Sequence, residues 1–481
     1  MHTPNWISRN VSKLSSRSVR GADAVVWQDK TANASDSTAQ AATKIIAIDN
    51  LASVAICRST RERLGATLRH KEEALSPRVL RRTLTELQAI VDPRVGELEG
   101  GRRAQGVMTW YAKAPPEQRR DMWLLMSEQF LTDTTKINAA QVKLTAAIGT
   151  PDEAAAQVQF RRATVSPRRR LLQRFSANPS GVRFLVDMRA EMQSVLRSDK
   201  RLLALDVEME YMFSTWFDIG FLELRRISWD SPASLIEKLI QYEAVHDVKS
   251  WADVKNRLDS DRRCYGFFHP RLPDDPLIFV EVALMDAMAQ GITPLLDELG
   301  ADADLKKATT AIFYSISNTQ AGLKGVGFGD SLIKRVVETL KREFPKLKTF
   351  ATLSPIPGLR VWLQRAQPAL AAQLAQALET GVLWAMDDKA TLRQQLLQQA
   401  ASYLAREQQG GDPIDAVARF HLGNGARIER LNWAADPSNK GIKQSYGMMV
   451  NYLYDLKKID KHRGMLAAGK RATSSEIDKL F

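Results

Sequence analysis

Hydrophobic residues recur every three or four positions through most of the first half of the chain. This spacing predicts amphipathic helices, because one face of an α-helix returns about every 3.6 residues. Three sets show it: Leu80, Leu84, Leu87 and Ile90; Met122, Leu125, Met126 and Phe130; and Val182, Leu185, Val186 and Met188. The alternation typical of strands is missing from this stretch of sequence, so we predict an all-helical domain over residues 61–205.

The pattern changes after Leu205, where short alternating or wholly apolar runs replace the helical spacing. Runs of strand length cover residues 221–227, 263–268, 277–283 and 311–316. Helical segments lie between and after them, including residues 370–409, which are rich in Ala, Leu and Gln. We therefore predict a mixed α/β domain over residues 206–481 and an α+β fold for the whole chain.

The first 60 residues do not have the pattern of a folded core. No acidic residue occurs before Asp23, and residues 31–43 are rich in Ala, Ser and Thr. Such a segment is typical of a flexible bacterial tail or of an organelle transit peptide. The acidic residues Asp23, Asp29, Asp36 and Asp49 favour the tail, so we predict a flexible segment over residues 1–60.

Composition narrows the class of protein. Hydrophobic residues make up 44% of the 481, which excludes wholesale disorder. Two cysteines exclude a disulfide scaffold and a Cys-rich zinc module, and six scattered histidines give no metal cluster. We therefore expect no metal site. No apolar run approaches the ~20 residues that a membrane span needs, so we expect no membrane-spanning segment. The net charge of +13 suggests an anionic partner: nucleic acid, a membrane surface or a phosphorylated small molecule.

The most informative segment runs from Ala311 to Leu359 and predicts a strand, a glycine-rich loop, a helix and a second strand. The loop spans Lys324 to Asp330, and the helix places Leu332, Ile333, Val336, Val337 and Leu340 on one face. Glycines between a strand and a helix let the backbone approach an anion closely. The spacing matches neither the P-loop nor the dinucleotide-binding fingerprint.

This loop resembles the pyrophosphate loop of the acetyltransferase fold, with Lys324, Gly327 and Gly329 in the matching places. The resemblance implies a binding segment for the CoA pyrophosphate, made of Lys324, Gly325, Val326, Gly327, Phe328, Gly329 and Asp330. A tight turn that needs glycine is the alternative interpretation of the same residues.

Several longer motifs, in order along the chain, resemble the malonyl-CoA decarboxylase family. They lie at residues 181–185, 243–246, 262–265, 311–317, 353–358 and 420–426, followed by Arg430, Asn432, Trp433 and Asp436. The resemblance implies an N-terminal helical domain, an acetyltransferase-like catalytic domain, a homo-oligomer, and cofactor-independent conversion of malonyl-CoA to acetyl-CoA and CO2. The family often has an acidic residue where this chain has Gly327, so no carboxylate role is assigned there.

The family's catalytic pair falls on Ser354 and His421, and Asn424 joins the predicted substrate-binding residues. Ser354 follows a predicted strand, and the carboxyl ends of strands in open α/β sheets are where ligands bind. We predict that backbone N–H groups hold the enolate oxygen and that His421 protonates the α carbon. Ser354 either orients the malonyl carboxylate or relays a proton with His421.

Two other functions remain open from the sequence. One is a CoA-dependent acyltransferase, because a Ser/His pair can form an acyl-enzyme. The other is a basic nucleic-acid-binding or scaffold protein, although the positive charge is spread along the chain rather than clustered. We predict malonyl-CoA and acetyl-CoA as ligands, no nucleic-acid or membrane partner, and a bacterial cytoplasm ahead of a mitochondrial matrix.

Overall fold

A computed structural model of the protein describes residues 75–300, 304–327 and 332–481. The predicted tail over residues 1–60 lies outside the described residues, as does the start of the predicted helical domain. The described residues belong to one compact unit. None of the helices in the described ranges has the length and apolar character that a membrane crossing requires.

The described residues from 77 to 216 are helical, as the hydrophobic spacing predicts. Ser76 caps the first helix by accepting the Val79 N–H, and a proline follows at the first helical position, where a missing N–H is harmless. The predicted apolar positions are buried, among them Leu87, Leu125 and Leu185, except Leu84, which is half-buried. The helices are α1 (Pro77–Val91), α2 (Glu97–Lys113), α3 (Pro116–Glu128), α4 (Thr134–Ala147), α5 (Glu153–Thr164), α6 (Pro167–Ser176), α7 (Gly181–Val195) and α8 (Leu203–Trp216).

Helix α8 continues through the predicted domain boundary at residues 205 and 206. The first strand begins only at Glu223, two residues after the predicted start, because residues 219–221 form a 3-10 turn in which Asp218 accepts the Gly220 N–H. The division into domains therefore stays a prediction, whereas the change from helices to a mixed sheet lies between Trp216 and Glu223.

The second part of the chain builds a mixed sheet flanked by helices. Its strands are β1 (Glu223–Ile227), β2 (Arg262–His269), β3 (Leu272–Met285), β4 (Thr310–Asn318), β5 (Thr349–Thr352), β6 (Ser354–Pro355), β9 (Arg427–Asn432) and β10 (Met449–Leu453); β7 (Gln408–Gln409) and β8 (Asp412–Pro413) form a separate hairpin. The helices are α9 (Ala233–Tyr242), α10 (Trp251–Arg257), α11 (Thr293–Leu296), α12 (Leu332–Glu343), α13 (Leu359–Ala366), α14 (Pro368–Glu379), α15 (Thr391–Ala405), α16 (Ala416–Gly423), α17 (Asn439–Ser445), α18 (Ile459–Ala467) and α19 (Ser475–Asp478).

Within the described residues, the eight strands of the main sheet follow the order β1-β2-β3-β4-β5-β10-β6, with β9 also paired to β10. Strands β4 and β5 are parallel, and the other pairings are antiparallel. The crossover between β4 and β5 contains the glycine segment and α12, whose five predicted apolar residues are all buried. This confirms the predicted α+β fold and the strand–glycine loop–helix–strand order of the acetyltransferase-like domain.

Candidate active site

The parallel strands β4 and β5 pair over only part of their length. Their register ends at Phe313 and Thr352, while β4 continues to Asn318 along β3. Val282 pairs with Phe313 and Glu281 with Ser315, so the Tyr314 residue between them is a β-bulge. Bulges bend a strand and are frequent next to active sites. The pairing of β4 with β5 therefore ends here, and we call the place where it ends the β4–β5 crevice.

Ser354 lies at this opening, where β5 ends and β6 begins. The intervening Leu353 is buried, and Ser354 pairs with Val450 of β10, which fixes the backbone. The Ser354 hydroxyl is buried and donates a hydrogen bond to Thr352 Oγ1 at 2.8 Å. Thr352 Oγ1 also accepts the Tyr452 N–H at 3.1 Å. Strand β10 therefore holds the chain at Thr352 and at Ser354, on both sides of Leu353.

His421 comes from the last turn of α16 rather than from the turn that follows it. Asp415 starts this helix by accepting the backbone N–H groups of Val417 and Ala418. His421 Nε2 lies 3.1 Å from Ser354 Oγ, although 67 positions separate the two residues in the sequence. The predicted pair is therefore in hydrogen-bond contact, and both side chains are buried.

Two tyrosines, Tyr452 of β10 and Tyr454 just after this strand, hold the imidazole from different sides. Tyr454 Oη lies 2.8 Å from His421 Nδ1. The ring of Tyr452 stacks on the imidazole with centroids 4.6 Å apart and planes inclined by 27°. The Tyr452 hydroxyl is buried and has no hydrogen-bond partner among the described residues. Tyr454 thus contacts His421 through a polar group, and Tyr452 contacts it through an apolar face.

Burial keeps this site uncharged. It lowers the pKa of His421 to about 3, because the imidazolium ion would lose its hydration without a nearby carboxylate to compensate. Burial also raises the pKa of Tyr454 well above its usual value. The imidazole is therefore neutral at physiological pH. Since Ser354 donates to Thr352, we assign Nε2–H as the donor to Ser354 and Nδ1 as the acceptor from Tyr454.

Residues of the sequence motif after His421 hold the backbone of Thr352 through a chain of hydrogen bonds. Asn451 Nδ2 donates to the Thr352 carbonyl at 2.7 Å, and Asn432 Nδ2 donates to Asn451 Oδ1 at 2.8 Å. Arg430 Nε donates to both asparagine side chains. Arg430 and Asn432 therefore belong to a network that positions Thr352, next to Ser354. They do not contact Ser354 or His421 directly.

The glycine segment is described only from Lys324 to Gly327; Phe328, Gly329 and Asp330 lie outside the described residues. Gly325 has a φ of +84°, a conformation that side chains with a Cβ rarely adopt. A Cβ added at Gly327 would meet nothing within 4 Å. Lys324, Gly325 and Gly327 are exposed and Val326 is buried, so the described part of the segment presents backbone to solvent.

Asn424 lies three residues after His421, at the end of α16. Its amide donates to the Phe420 carbonyl at 2.8 Å, a contact within the same helix. Its predicted role in substrate binding stays a prediction. Sequence analysis missed two residues that contact the pair: Tyr454, which contacts His421, and Thr352, which contacts Ser354. The alternation of Val450, Tyr452 and Tyr454 in an apolar strand was the available signal, but it does not say which tyrosine reaches the histidine.

The family models match most of the described chain. The malonyl-CoA decarboxylase C-terminal domain matches residues 220–481, and the corresponding N-terminal domain matches residues 130–217. The first of these alone covers more than half of the sequence. The chain belongs to the malonyl-CoA decarboxylase family.

Curated and solved members of the malonyl-CoA decarboxylase family resemble the chain along most of its length. The mitochondrial malonyl-CoA decarboxylase of Rattus norvegicus is 36% identical over 354 residues, which are 67% of this chain and 72% of that protein. The crystal structure of malonyl-CoA decarboxylase from Rhodopseudomonas palustris is 40% identical, with a TM-score of 0.75 over 83% of this chain and 99% of that one. The crystal structure of malonyl-CoA decarboxylase from Agrobacterium vitis is 36% identical, with a TM-score of 0.74 over 83% of this chain and 99% of that one.

Membership of the malonyl-CoA decarboxylase family confirms the predicted family and the enzyme class that came with it. It favours a decarboxylase over the acyltransferase and over the nucleic-acid-binding or scaffold protein. The roles of individual residues rest on the geometry of the site and are argued below.

Proposed function

We propose that the chain converts malonyl-CoA to acetyl-CoA and CO2 at the Ser354–His421 pair. The observation that carries this proposal is the buried contact between Ser354 Oγ and His421 Nε2 at the mouth of the β4–β5 crevice. A thioester placed in this crevice would bring its acyl group to the two side chains. Ligands of open α/β sheets bind at such strand ends.

The reaction breaks the bond between the α carbon and the carboxylate carbon. The electron pair of that bond moves to the α carbon and is shared with the thioester oxygen as an enolate, and CO2 leaves. One proton is then added to the α carbon. The thioester itself accepts the electron pair, so the protein has two tasks: to stabilise the enolate oxygen and to deliver the proton.

The enolate oxygen is proposed to accept a hydrogen bond from a backbone N–H of the β4 bulge around Tyr314. The bulge faces the crevice edge, because the register with β5 ends one residue earlier, at Phe313. One donor of this kind typically contributes about 3–4 kcal/mol to transition-state stabilisation.

The proton is proposed to travel along the chain of hydrogen bonds from Tyr454 through His421 to Ser354. Because His421 is neutral, it has no spare proton to give alone, and it donates Nε2–H only while it receives a proton from Tyr454 at Nδ1. The strongly basic carbanion can take a proton from such neutral donors. The negative charge of the enolate then passes to the Tyr454 oxygen, which recovers a proton from solvent before the next turnover. Ser354 is then the last donor in the relay, and His421 acts through it.

Among the described residues no cation contacts Ser354 or His421, and this suits the leaving carboxylate. A charged guanidinium at this point would stabilise the malonyl carboxylate in the ground state and oppose its loss as neutral CO2. The hydroxyl of Ser354 can orient the carboxylate without that penalty. The same residue can therefore serve in both steps, first toward the carboxylate and then toward the carbon.

Three finer points belong to this proposal. The segment from Lys324 to Gly327 binds the CoA pyrophosphate, supported by its exposed backbone before α12. The protein acts as a homo-oligomer in which the helical domain takes part. It works in a bacterial cytoplasm, with a mitochondrial matrix as the alternative because the rat relative is named as mitochondrial.

The direct test measures CO2 release from malonyl-CoA that carries a labelled carboxyl group, with no acyl acceptor present. We expect stoichiometric release of labelled CO2 and acetyl-CoA. In D2O the acetyl methyl group should gain one solvent deuterium per turnover. Release that depends on an added acyl acceptor would contradict the proposal and favour acyl transfer.

A further inference from the structure

The glycine segment is attached to the helical part of the chain by one buried arginine. Arg189 of α7 is only 1% exposed. Its Nη1 group donates to the carbonyl oxygens of Gly322 and Lys324, each at 2.9 Å. The two bonds bracket the start of the segment that is proposed to bind the CoA pyrophosphate.

The other two nitrogen atoms of Arg189 bind carboxylates. Nε donates to Asp206 at 2.8 Å and Nη2 donates to Glu210 at 2.9 Å, both on α8. A buried guanidinium is tolerated only when such partners replace its hydration. One cation faces two carboxylates here, so the cluster offers no excess positive charge to an anion. Arg189 therefore acts on the segment through the directions of its hydrogen bonds and not through its charge.

Helices α7 and α8 press closely against the segment. A Cβ added at Gly322 would lie 1.9 Å from the Val186 carbonyl oxygen of α7, and one added at Gly325 would lie 3.1 Å from Glu210 Oε2. Only glycine allows this approach at Gly322. The helical part of the chain thus contacts the segment by backbone as well as through the arginine.

The arginine also sets the direction of one backbone donor. In a planar trans peptide the C=O and the following N–H point in opposite directions. Because the Lys324 carbonyl points at Arg189, the Gly325 N–H points away from α7, toward the exposed side of the segment. Within the part of the chain that the structure describes, this N–H has no acceptor.

We propose that Arg189 is a positioning residue for CoA binding: it holds residues 322–327 in the conformation that presents backbone N–H groups to the pyrophosphate. The proposal rests on the proposed function of that segment. It gives the helical domain a second role beside oligomerisation, since a residue of α7 sets the affinity of the catalytic domain for its substrate.

The test compares Arg189→Met with a matched variant, Arg168→Met. Arg168 is also buried and donates to three backbone carbonyls, those of Met126, Ser127 and Ala204, which lie within the helical part. Both variants should lose stability. Only Arg189→Met should raise KM for malonyl-CoA and the Kd of acetyl-CoA, by about tenfold or more, with kcat changed less than about threefold.

A second substrate separates positioning from general damage. Malonyl-N-acetylcysteamine carries the same malonyl thioester but has no pyrophosphate. For this substrate kcat/KM should be nearly equal in the wild type and in Arg189→Met. Should Arg189→Met fail to fold, Arg189→Lys, which retains the charge but not the forked donors, should show a smaller rise of KM for malonyl-CoA alone.

Equal losses of kcat/KM for both thioesters, or a wild-type KM for malonyl-CoA in soluble Arg189→Lys, would overturn the positioning role. A wild-type enzyme that uses both thioesters equally well would instead contradict the pyrophosphate assignment on which the role depends. Failure to release CO2 from either thioester would contradict the proposed function itself. The three failures are therefore distinguishable.

Discussion

Two buried polar networks border the crevice between β4 and β5, and they are built in opposite ways. On the β5 side, Ser354, His421 and Tyr454 form a chain of neutral groups. On the β4 side, Arg257 is fully buried, bonds Asp253 at 2.7 Å and Glu281 at 3.0 Å, and donates to the His246 carbonyl. Nearby, Glu243 accepts hydrogen bonds from Ser315 and Ser317 of β4.

Because one network is charged and the other is neutral, they serve the site in different ways. The charged network locks β3 to α10 and to the loop after α9, because moving either partner would leave a buried charge unpaired. The neutral network can pass a proton along its hydrogen bonds, with the negative charge of the enolate ending on the Tyr454 oxygen. Even Glu281 is driven toward neutrality: burial and the neighbouring Glu243 raise its pKa to about 8.

Removing either member of the catalytic pair should have the largest effect on turnover. His421→Asn and Ser354→Ala should each lower kcat by about 10²–10⁴-fold, the range of a positioned proton donor. Because the two act as one unit, the double variant should be little worse than the worse single one. Steady-state kinetics and acetyl-CoA titration measure this. A His421→Asn enzyme with the wild-type kcat would show that His421 takes no part in the proton relay.

Breaking the charged network should damage stability and leave the chemistry intact. Arg257→Met leaves Asp253 without its buried cation and should cost about 3–5 kcal/mol in the free energy of unfolding. Arg225→Met, which removes an exposed ion pair with Glu223 on neighbouring β1, should cost less than about 1 kcal/mol. Denaturant titrations give both values. A folded Arg257→Met enzyme with strongly reduced kcat would show that the charged network also takes part in catalysis.

The neutral histidine should leave a signature in the pH dependence of stability. Its pKa falls from 6.5 in the unfolded chain to about 3 in the fold, so only the unfolded chain gains a proton as pH falls through this window. The wild type should therefore lose up to about 1.4 kcal/mol per pH unit below pH 6.5 from this group.

The His421→Asn variant lacks that loss, while Ser354→Ala, which retains the histidine, should keep it. Unfolding free energies of the three proteins at pH 7 and pH 5 make the comparison. Parallel pH dependence in wild type and His421→Asn would mean that the imidazole titrates normally in the folded protein.

Tyr452 of β10 and Tyr454, which follows this strand, provide the finest test of the neutral network. Tyr454→Phe removes the proton source at Nδ1 and should lower kcat by about 10²-fold, the lower end of the range for a positioned proton donor. Tyr452→Phe keeps the stacked ring and removes a buried hydroxyl without a partner, so kcat should hold and stability should rise slightly. Equal kinetic losses in both variants would place the effect in packing rather than in proton transfer.

The sequence by itself determined the helices, most strands and the pair of residues at the site. Helical spacing located the buried faces of α1, α3 and α7, and five apolar residues defined the inner face of α12. These features depend on local periodicity, which a sequence displays directly. Ser354 and His421 were recognised because whole motifs around them resemble the malonyl-CoA decarboxylase family.

Only the tertiary structure decided how the pair is held and what state it is in. Tyr454, Thr352 and Arg189 reach their partners from other elements, and no local spacing encodes such contacts. The bulge at Tyr314 became visible only in the register of β3 and β4. The neutrality of His421 follows from its burial, because desolvation depends on everything packed around a group rather than on its neighbours along the chain.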